Sequence, residues 1–190
     1  MNGKQQIVQW RFRAFLVIGA VALLVAAVSA ARVLGERDVR DLNGGRSVAE
    51  RLRIFDELDF DVFSHQKWDR LLESHADDIV VTWPDGRQTK GLRTHIDDLA
   101  NFFVFAPDTQ ISIHPIRFGS GEWTAVTSVM TGTFSRPMPV GDGKTIPPTG
   151  KKFSISVATI GQWKNGKMTA EWLFWDNYAF LQQIGLAPQP

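Results

Sequence analysis

The feature that most constrains the fold is an Asn-Gly pair between two strand-like segments. Asn165-Gly166 lies within Trp163-Lys164-Asn165-Gly166-Lys167-Met168, and β-branched and aromatic residues flank this stretch. Asn-Gly is the preferred central pair of a two-residue type I′ turn, so the two segments are predicted to form a β-hairpin. A two-residue turn also fixes the register, which pairs Trp163 with Met168.

Continued without a break, this register separates the hairpin into two faces. One face is mostly apolar and ends in a carboxylate, and its pairs are Trp163 with Met168, Gly161 with Ala170, Thr159 with Trp172, Val157 with Phe174 and Ile155 with Asp176. The other face carries Glu171 among mixed side chains and could meet a partner subunit. A β-bulge would exchange the two faces beyond it, so the choice between Asp176 and Glu171 as the inward acid depends on regular pairing.

Asp176 and Glu171 are therefore the two candidate catalytic acids. A carboxyl group among aromatic side chains loses hydration, which raises its pKa toward neutrality and lets it exchange protons at physiological pH. The alternative for Asp176 is a helix N-cap, because Asp-Asn stands directly before a helical segment. The alternative for Glu171 is a solvent-facing carboxylate paired with a basic side chain.

Four histidines occur, and none of them are spaced as a helical pair of metal ligands. We therefore expect no metal site, and the absence of cysteine excludes thiolate ligands and nucleophiles. His65 and His75 are predicted to lie at the surface, and His95 at the edge of an apolar helix face. His114 is predicted to share a strand face with Ile116 and other apolar residues, and is the third candidate catalytic residue, as an orienting imidazole.

The aromatic content indicates a large apolar interior, with seven Trp and 13 Phe but only one Tyr. Most of these rings should pack in the core, but several fall on predicted strands and could form a cavity for a ring-shaped or lipid-like ligand. The residues expected to line this cavity are Trp83, Thr159, Trp163, Trp172 and Phe174. No phosphate-binding loop or Gly-X-Ser-X-Gly elbow occurs in the sequence, and no cofactor is expected.

The N-terminal 31 residues form a segment of different character. Three basic residues and no acidic residue precede an apolar run, Ala14–Ala31. As a helix, this run would span about 27 Å, close to the thickness of a bilayer core. Residues 1–31 are therefore predicted to be a cleaved signal peptide or a retained anchor that contacts the membrane through residues 14–31, with the rest of the chain exported. Residues 32–46 are predicted to be a linker.

Residues 47–190 are predicted to form one α+β domain. A capping box, Ser47-Val48-Ala49-Glu50, begins a helical pattern, and strand-like alternation dominates after residue 108. Helices first and strands afterwards predict helices on one face of an antiparallel sheet. Gly119-Ser120-Gly121 predicts a second hairpin, in which Phe118 would pair with Trp123.

Four stretches of the domain resemble the SnoaL-like polyketide cyclases of the nuclear transport factor 2-like superfamily. They are WDRLLESHADDIVVTWPDG (68–86), TKGLRTHIDDLANFF (89–103), PPTGKKFSISVATIGQWKNGKMTAEWLFWD (147–176) and FLQQIG (180–185). The resemblance implies a cone-shaped fold, in which a curved antiparallel sheet and helices enclose one pocket, often in a homodimer. It also implies a strand carboxylate that acts as acid and base in an intramolecular aldol closure without metal or cofactor. Glu171 and Asp176 are the closest matches to that carboxylate.

Cyclases of this type also use a histidine on a neighbouring core strand, and residues 153–163 contain none. Two classes of function remain open. The first is a cofactor-free acid/base enzyme of cyclase, isomerase or hydrolase type that acts on a small apolar molecule. The alternative is a non-catalytic ligand-binding or accessory dimerisation module held at the membrane. A net charge of +1 provides no basic field for nucleic acid.

Overall fold

The computed structural model describes residues 47–188. The predicted signal or anchor (1–31) and linker (32–46) lie outside these residues. Within residues 47–188, no helix is long and apolar enough to cross a membrane. In chain order the elements are α1 (Val48–Glu57), a π-helix (Leu58–Phe63), a 3-10 helix (Trp68–Glu73), β1 (His75–Thr82), β2 (Gln88–Lys90), α2 (Leu92–Phe105), β3 (Gln110–Ile111), β4 (Arg117–Ser120), β5 (Trp123–Thr133), β6 (Met138–Pro139), β7 (Thr145–Ile146), β8 (Lys152–Lys164), β9 (Lys167–Trp175) and α3 (Asn177–Gln183).

Helix α1 begins where the capping box predicts. The Ser47 hydroxyl accepts a hydrogen bond of 3.2 Å from the backbone N–H of Glu50. Buried Ile54 and Phe55 face the core. The helix then widens directly into the π-helix, a local form that is frequent at functional sites.

The main sheet confirms the α+β prediction. Its strands follow the order β2-β1-β9-β8-β5-β3, and β4 also pairs with β5. All pairs are antiparallel except β1 with β9, which run parallel. A parallel pair needs a long connection, and about 85 residues separate these two strands in the chain. Strand β9 therefore lies between β8, its hairpin partner, and β1, which comes from the start of the domain.

The β8–β9 hairpin has the predicted turn, but its register shifts by one residue immediately after the pair of Trp163 with Met168. Trp163 pairs with Met168, whereas the next pair is Gln162 with Ala170. Thr169 is consequently an extra residue, and its hydroxyl donates to the Gln162 carbonyl at 3.3 Å. This β-bulge keeps both Met168 and residue 171 on the inner face, which strict alternation would not allow.

The predicted pairing beyond the bulge is therefore wrong, and the faces of β9 are exchanged. The observed inner pairs are Gly161 with Glu171, Thr159 with Leu173 and Val157 with Trp175. A side chain on Gly161 would approach the Met168 sulfur to 2.9 Å, so the glycine makes room for the bulged strand. Glu171 faces inward, and Trp172 and Phe174 face outward.

The second hairpin also differs from its predicted register. Ser120 pairs with Trp123 and Phe118 with Ala125, so the turn residues are Gly121 and Glu122. Phe118 is 64% exposed. His114 precedes β4, and its side chain is 2% exposed. His114 therefore does not share a face with Phe118, because regular strand alternation has not yet begun at residue 114.

The core consists of two adjoining apolar clusters. Phe63, with other rings, belongs to the first. Leu58 and Trp163 belong to the second. Leu99 and Trp175 pack against both clusters. The internal cavity is lined by members of both, so the fold places it where the two clusters meet.

Candidate functional site

A cavity of about 60 Å³ lies on the inner face of the sheet. This volume accommodates only a few water-sized groups. Most of its walls are apolar, and the lining residues are Leu58, Asp59, Phe63, His75, Trp83, His95, Leu99, Phe102, Ile111, Met130, Val157, Thr159, Glu171, Leu173 and Trp175. The few polar groups among so many apolar ones are typical of a small-molecule site.

Glu171 is the buried acid of this cavity, because the Thr169 bulge turns it inward. Its residue exposure is 4%. Its Oε2 atom lies 3.3 Å from Nε2 of His95 and 3.8 Å from Nε2 of His75. Among the described residues, neither Oε2 of Glu171 nor Nε2 of His75 has a hydrogen-bond partner. Both atoms are therefore available to a ligand in the cavity.

His75 is oriented by the residue before it. The Ser74 hydroxyl donates to the Leu71 carbonyl at 3.1 Å and lies 2.8 Å from Nδ1 of His75. The serine thus fixes the orientation of the His75 ring, with Nε2 toward Glu171.

Burial and mutual contact set the charges of this group. Burial lowers the pKa of His95 to about 4, so its imidazole is neutral at physiological pH. Burial alone would raise the pKa of Glu171, but the imidazoles of His75 and His95 beside it lower the pKa below its usual value. The site therefore combines an ionised carboxylate with a neutral imidazole inside an apolar wall.

A second group of ionisable side chains joins the cavity through Asp59, on the π-helix. Nε2 of His114 lies 2.8 Å from Oδ2 of Asp59, and Nδ1 lies 2.8 Å from Oδ1 of Asp56. The Ser128 hydroxyl also donates to Oδ2 of Asp59, at 3.2 Å. Asp56 forms an ion pair with Arg117 at the surface. The His114 ring packs on Phe60, with ring centroids 4.6 Å apart.

The pKa values of this second group are both shifted upward. Burial raises the pKa of Asp59, and the nearby Glu171 charge acts in the same direction against the opposing effect of His114. Burial would lower the pKa of His114, but its hydrogen bonds to Asp59 and Asp56 raise it above the usual value. Burial thus favours the protonated form of Asp59, and Asp56, which lies 2.8 Å from Nδ1, favours the imidazolium form of His114.

The structure places the predicted lining residues in three environments. Trp83 and Thr159 line the cavity. Trp163 is fully buried but does not line it, and its indole N–H donates to the Thr124 hydroxyl at 2.8 Å. Trp172 and Phe174 lie on the outer sheet face, where Phe174 is 48% exposed. The prediction that Trp172 and Phe174 line the cavity is therefore wrong, because the bulge reverses the faces of β9.

Asp176 does not reach the cavity. It is exposed, and its Oδ1 atom accepts the backbone N–H of Ala179 at 2.9 Å as the N-cap of α3. The capping alternative therefore describes this residue. The pairing that would have turned Asp176 inward assumed a regular ladder, which the bulge interrupts.

Two of the histidines also lie elsewhere than predicted. His75 and His95 are each 2% exposed rather than at the surface or at a helix edge. They come from β1 and α2 and meet Glu171 of β9 only through the tertiary fold. His65, in contrast, is exposed as predicted.

Asp59 was not identified from the sequence, because helical spacing places it with Asp56 on the polar side of an amphipathic pattern. The π-helix that turns it inward leaves no clear sequence signal. The four acidic residues among the apolar residues of 56–63 are the only indication in the sequence.

His75, His95 and Glu171 could hold a divalent cation. Their ligand atoms lie within 4.8 Å of one another. Bonds of 2.0–2.2 Å to a tetrahedral ion separate its ligands by about 3.4 Å, comparable with the two distances to Glu171. The expectation of no metal site was based on local spacing, which carries no information on ligands from three separate elements.

The family model of the SnoaL-like polyketide cyclases matches residues 56–184. The chain therefore belongs to this family. A search of curated proteins found no match. The matched residues include Glu171, His75, His95 and Asp59, so the whole site lies inside the family domain.

Solved structures show the same fold. A SnoaL-like protein from Jannaschia sp. CCS1 superposes with a TM-score of 0.64 at 19% identity, over 76% of this chain and 98% of that one. IdmH from Streptomyces antibioticus gives a TM-score of 0.60 at 22% identity, over 71% of this chain and 98% of that one. A ketosteroid-isomerase-like protein from Catenulispora acidiphila in complex with trimethylamine gives 0.58 at 14%, over 76% and 100%. The cone-shaped fold implied by the sequence is confirmed.

Proposed function

We propose that this domain is a cofactor-independent acid/base enzyme of cyclase or isomerase type, acting on a small, largely apolar compound. The observation that carries the proposal is Glu171, a buried carboxylate that faces an apolar cavity between two imidazoles. Family membership supports the reaction class, since a strand carboxylate is the acid/base group of this family. Residues 153–163 contain no histidine, and the two histidines beside Glu171 come instead from β1 and α2.

The charges of the site suggest the direction of the first step. Ionised Glu171 can accept a proton from a substrate carbon or hydroxyl, and apolar walls strengthen this interaction by excluding water. After this transfer, neutral His95 can form a hydrogen bond with the protonated carboxyl, since its Nε2 atom lies 3.3 Å from Oε2 of Glu171. Trp83 and Trp175 then hold the apolar part of the substrate.

The size of the cavity limits the ligand. About 60 Å³ holds a small molecule or the reacting end of a larger one. Trp83, Phe102 and Trp175 line both this cavity and a second hollow toward Asn177. We infer that a larger substrate would enter between these three rings.

A hydrogen-exchange experiment tests the proposal. Full-length protein is incubated in D₂O with a panel of small cyclic ketones, and deuterium incorporation beside the carbonyl is followed by NMR. Glu171→Gln should reduce catalysed exchange about 100-fold or more, because removing a general base typically costs this much. Asp176→Asn is the matched control and should exchange at the wild-type rate. Equal rates in wild type and Glu171→Gln would overturn the proposal.

The same assay tests the absence of a cofactor. Dialysis against a chelator should leave the exchange rate unchanged. Loss of exchange that zinc or iron(II) restores would instead assign His75, His95 and Glu171 to a metal centre, and the cofactor-free part of the proposal would fail.

A second candidate function is an accessory module that acts through its outer sheet face. Phe118, Ala125, Ile160 and Trp172 form a cross-strand row on this face, and Phe174 lies beside it. Phe118, Ile160 and Phe174 are exposed. Such a row is compatible with a homodimer whose partner covers it. Light scattering of wild type and Ile160→Lys would show whether this face carries self-association.

We also propose that residues 1–31 direct the domain across a membrane, as the basic start and apolar run of the sequence indicate. Full-length protein carrying a C-terminal tag should fractionate outside the cytoplasm. Alkaline extraction of membranes then separates the two forms, since a retained anchor stays with lipid and a cleaved domain does not. Recovery in the cytoplasm would contradict the proposal.

A further inference from the structure

We propose that Asp59 is the second acid/base group of the cavity, donating a proton to a substrate oxygen while Glu171 removes a proton from substrate carbon. His114 and Asp56 act as positioning residues for Asp59. The proposal adds a second catalytic group, a proton donor, to the function suggested above. It rests on that function, and the experiments below separate the two.

The two oxygens of Asp59 have different environments. Oδ2 accepts hydrogen bonds from His114 at 2.8 Å and from Ser128 at 3.2 Å. Oδ1 has no hydrogen-bond partner among residues 47–188, while Asp59 is a lining residue of the cavity. The carboxyl group is therefore anchored through one oxygen and presents the other to a ligand.

His114 is held on both sides. Nδ1 of His114 lies 2.8 Å from Oδ1 of Asp56, and Phe60 and Phe55 pack on the ring. Arg117 pairs with Asp56 from β4, at the protein surface. These contacts fix Nε2 of His114 toward Asp59.

The groups that face Asp59 come from several elements. His114 lies in the segment before β4, Ser128 is on β5, and Glu171 is on β9. The negative charge of Glu171 and the burial of Asp59 both favour a protonated Asp59 carboxyl. Two carboxyl groups driven toward opposite protonation states define an acid and a base in one cavity.

In the proposed step the substrate loses a proton from carbon and gains a proton on oxygen. The C–H bond beside the substrate carbonyl breaks, and its proton goes to Glu171. The electron pair of that bond forms the carbon–carbon double bond of an enol. The carbonyl oxygen takes the proton from Oδ1 of Asp59. The resulting Asp59 carboxylate is stabilised by the imidazolium of His114 and the hydroxyl of Ser128.

The first test is the pH dependence of the exchange assay. Wild-type exchange should fall at high pH as Asp59 loses its proton. Asp59→Asn should lower the exchange rate about 100-fold and abolish its decrease at high pH, because the amide cannot donate the proton. Asp56→Asn changes the hydrogen bond that holds His114, so exchange should persist, but its decrease should occur at a different pH. A wild-type rate and pH profile in Asp59→Asn would overturn the proposal.

The outcomes distinguish this inference from the proposed function. If Glu171→Gln abolishes exchange and Asp59→Asn does not, the role of Asp59 fails while that of Glu171 stands. If Glu171→Gln retains full exchange, the function itself fails.

A second measurement does not depend on turnover or on the folding of Asp59→Asn. In protein labelled with ¹³C-aspartate, one carboxyl resonance should titrate well above the usual range for aspartate. Ser128→Ala removes a donor to Oδ2 and should raise that pKa further. If every aspartate carboxyl of the wild-type protein titrates at or below its usual value, Asp59 cannot serve as the acid.

Discussion

Oε2 of Glu171 lies 3.3 Å from Nε2 of His95, and both side chains are almost completely buried against an apolar cavity. The carboxylate comes from the middle of a strand and the imidazole from the first turn of α2. Their contact therefore depends on the packing of the helix on the sheet. A neutral imidazole can approach a buried carboxylate in this way without adding a second buried charge.

The depressed pKa of His95 predicts a pH-dependent cost of folding. Unfolded His95 gains a proton near pH 6.5, whereas folded His95 stays neutral until about pH 4. Its contribution to stability therefore decreases as the pH falls through 6.5, by about 2 kcal/mol between pH 7 and pH 5. The free energy of unfolding, measured by urea denaturation at pH 7 and at pH 5, should therefore decrease more in wild type than in His95→Gln. His65→Gln, at an exposed position, is the control and should show the same decrease as wild type.

His114 should show the opposite dependence. Its pKa is raised in the folded protein by Asp59 and Asp56, so its stabilising effect is fully present below pH 6.5 and is lost as the pH rises through the folded value. The difference in unfolding free energy between wild type and His114→Gln should therefore be larger at pH 5.5 than at pH 9. A difference that grows toward pH 9 would contradict the imidazolium assignment.

The exchanged faces of β9 give a prediction from two neighbouring residues. Leu173 lines the cavity, and Phe174 is 48% exposed. Leu173→Asp should destabilise the domain by more than about 3 kcal/mol or prevent folding, because it buries an unpaired charge. Phe174→Asp should fold with a similar circular dichroism spectrum and cost less than about 1 kcal/mol. The reverse order is what a hairpin without the bulge would give.

Asp176 is a capping residue, and its replacement should affect stability alone. Asp176→Ala should lower the free energy of unfolding by about 1 kcal/mol, since the backbone N–H of Ala179 loses its acceptor. Asp176→Asn keeps an N-capping side chain and should stay close to wild type in denaturant titrations. A loss of ketone exchange in either variant, with folding intact, would return Asp176 to the list of catalytic candidates.

Local sequence signals predicted local structure well. The capping box starts α1, and Asn165 and Gly166 both adopt positive φ angles, 51° and 76°, as a type I′ turn requires. The Asp-Asn signal before α3 also marks a real N-cap. In each case the relevant hydrogen bonds join residues a few positions apart, so the sequence alone contains the interaction.

The site itself depends on contacts that no local pattern encodes. The bulge at Thr169 changes the register by one residue, and this single change moves Glu171 inward and Phe174 outward. His75 and His95 reach Glu171 from elements about 75–95 residues away in the chain. Asp59 turns inward because a π-helix replaces the expected α-helical turn. The family resemblance supplied the role of a strand acid, but the structure was needed to decide which acid faces the cavity.

The ionisation of Glu171 is the quantity on which its role as a base depends most directly. It can be measured by ¹³C NMR titration of glutamate-labelled protein, with the resonance assigned by its absence in Glu171→Gln. We predict a pKa below the usual value for glutamate, so that the carboxylate is ionised and able to accept a proton at pH 7. A Glu171 resonance that titrates above pH 7 would show a carboxyl already protonated under working conditions, and would contradict its assignment as the base.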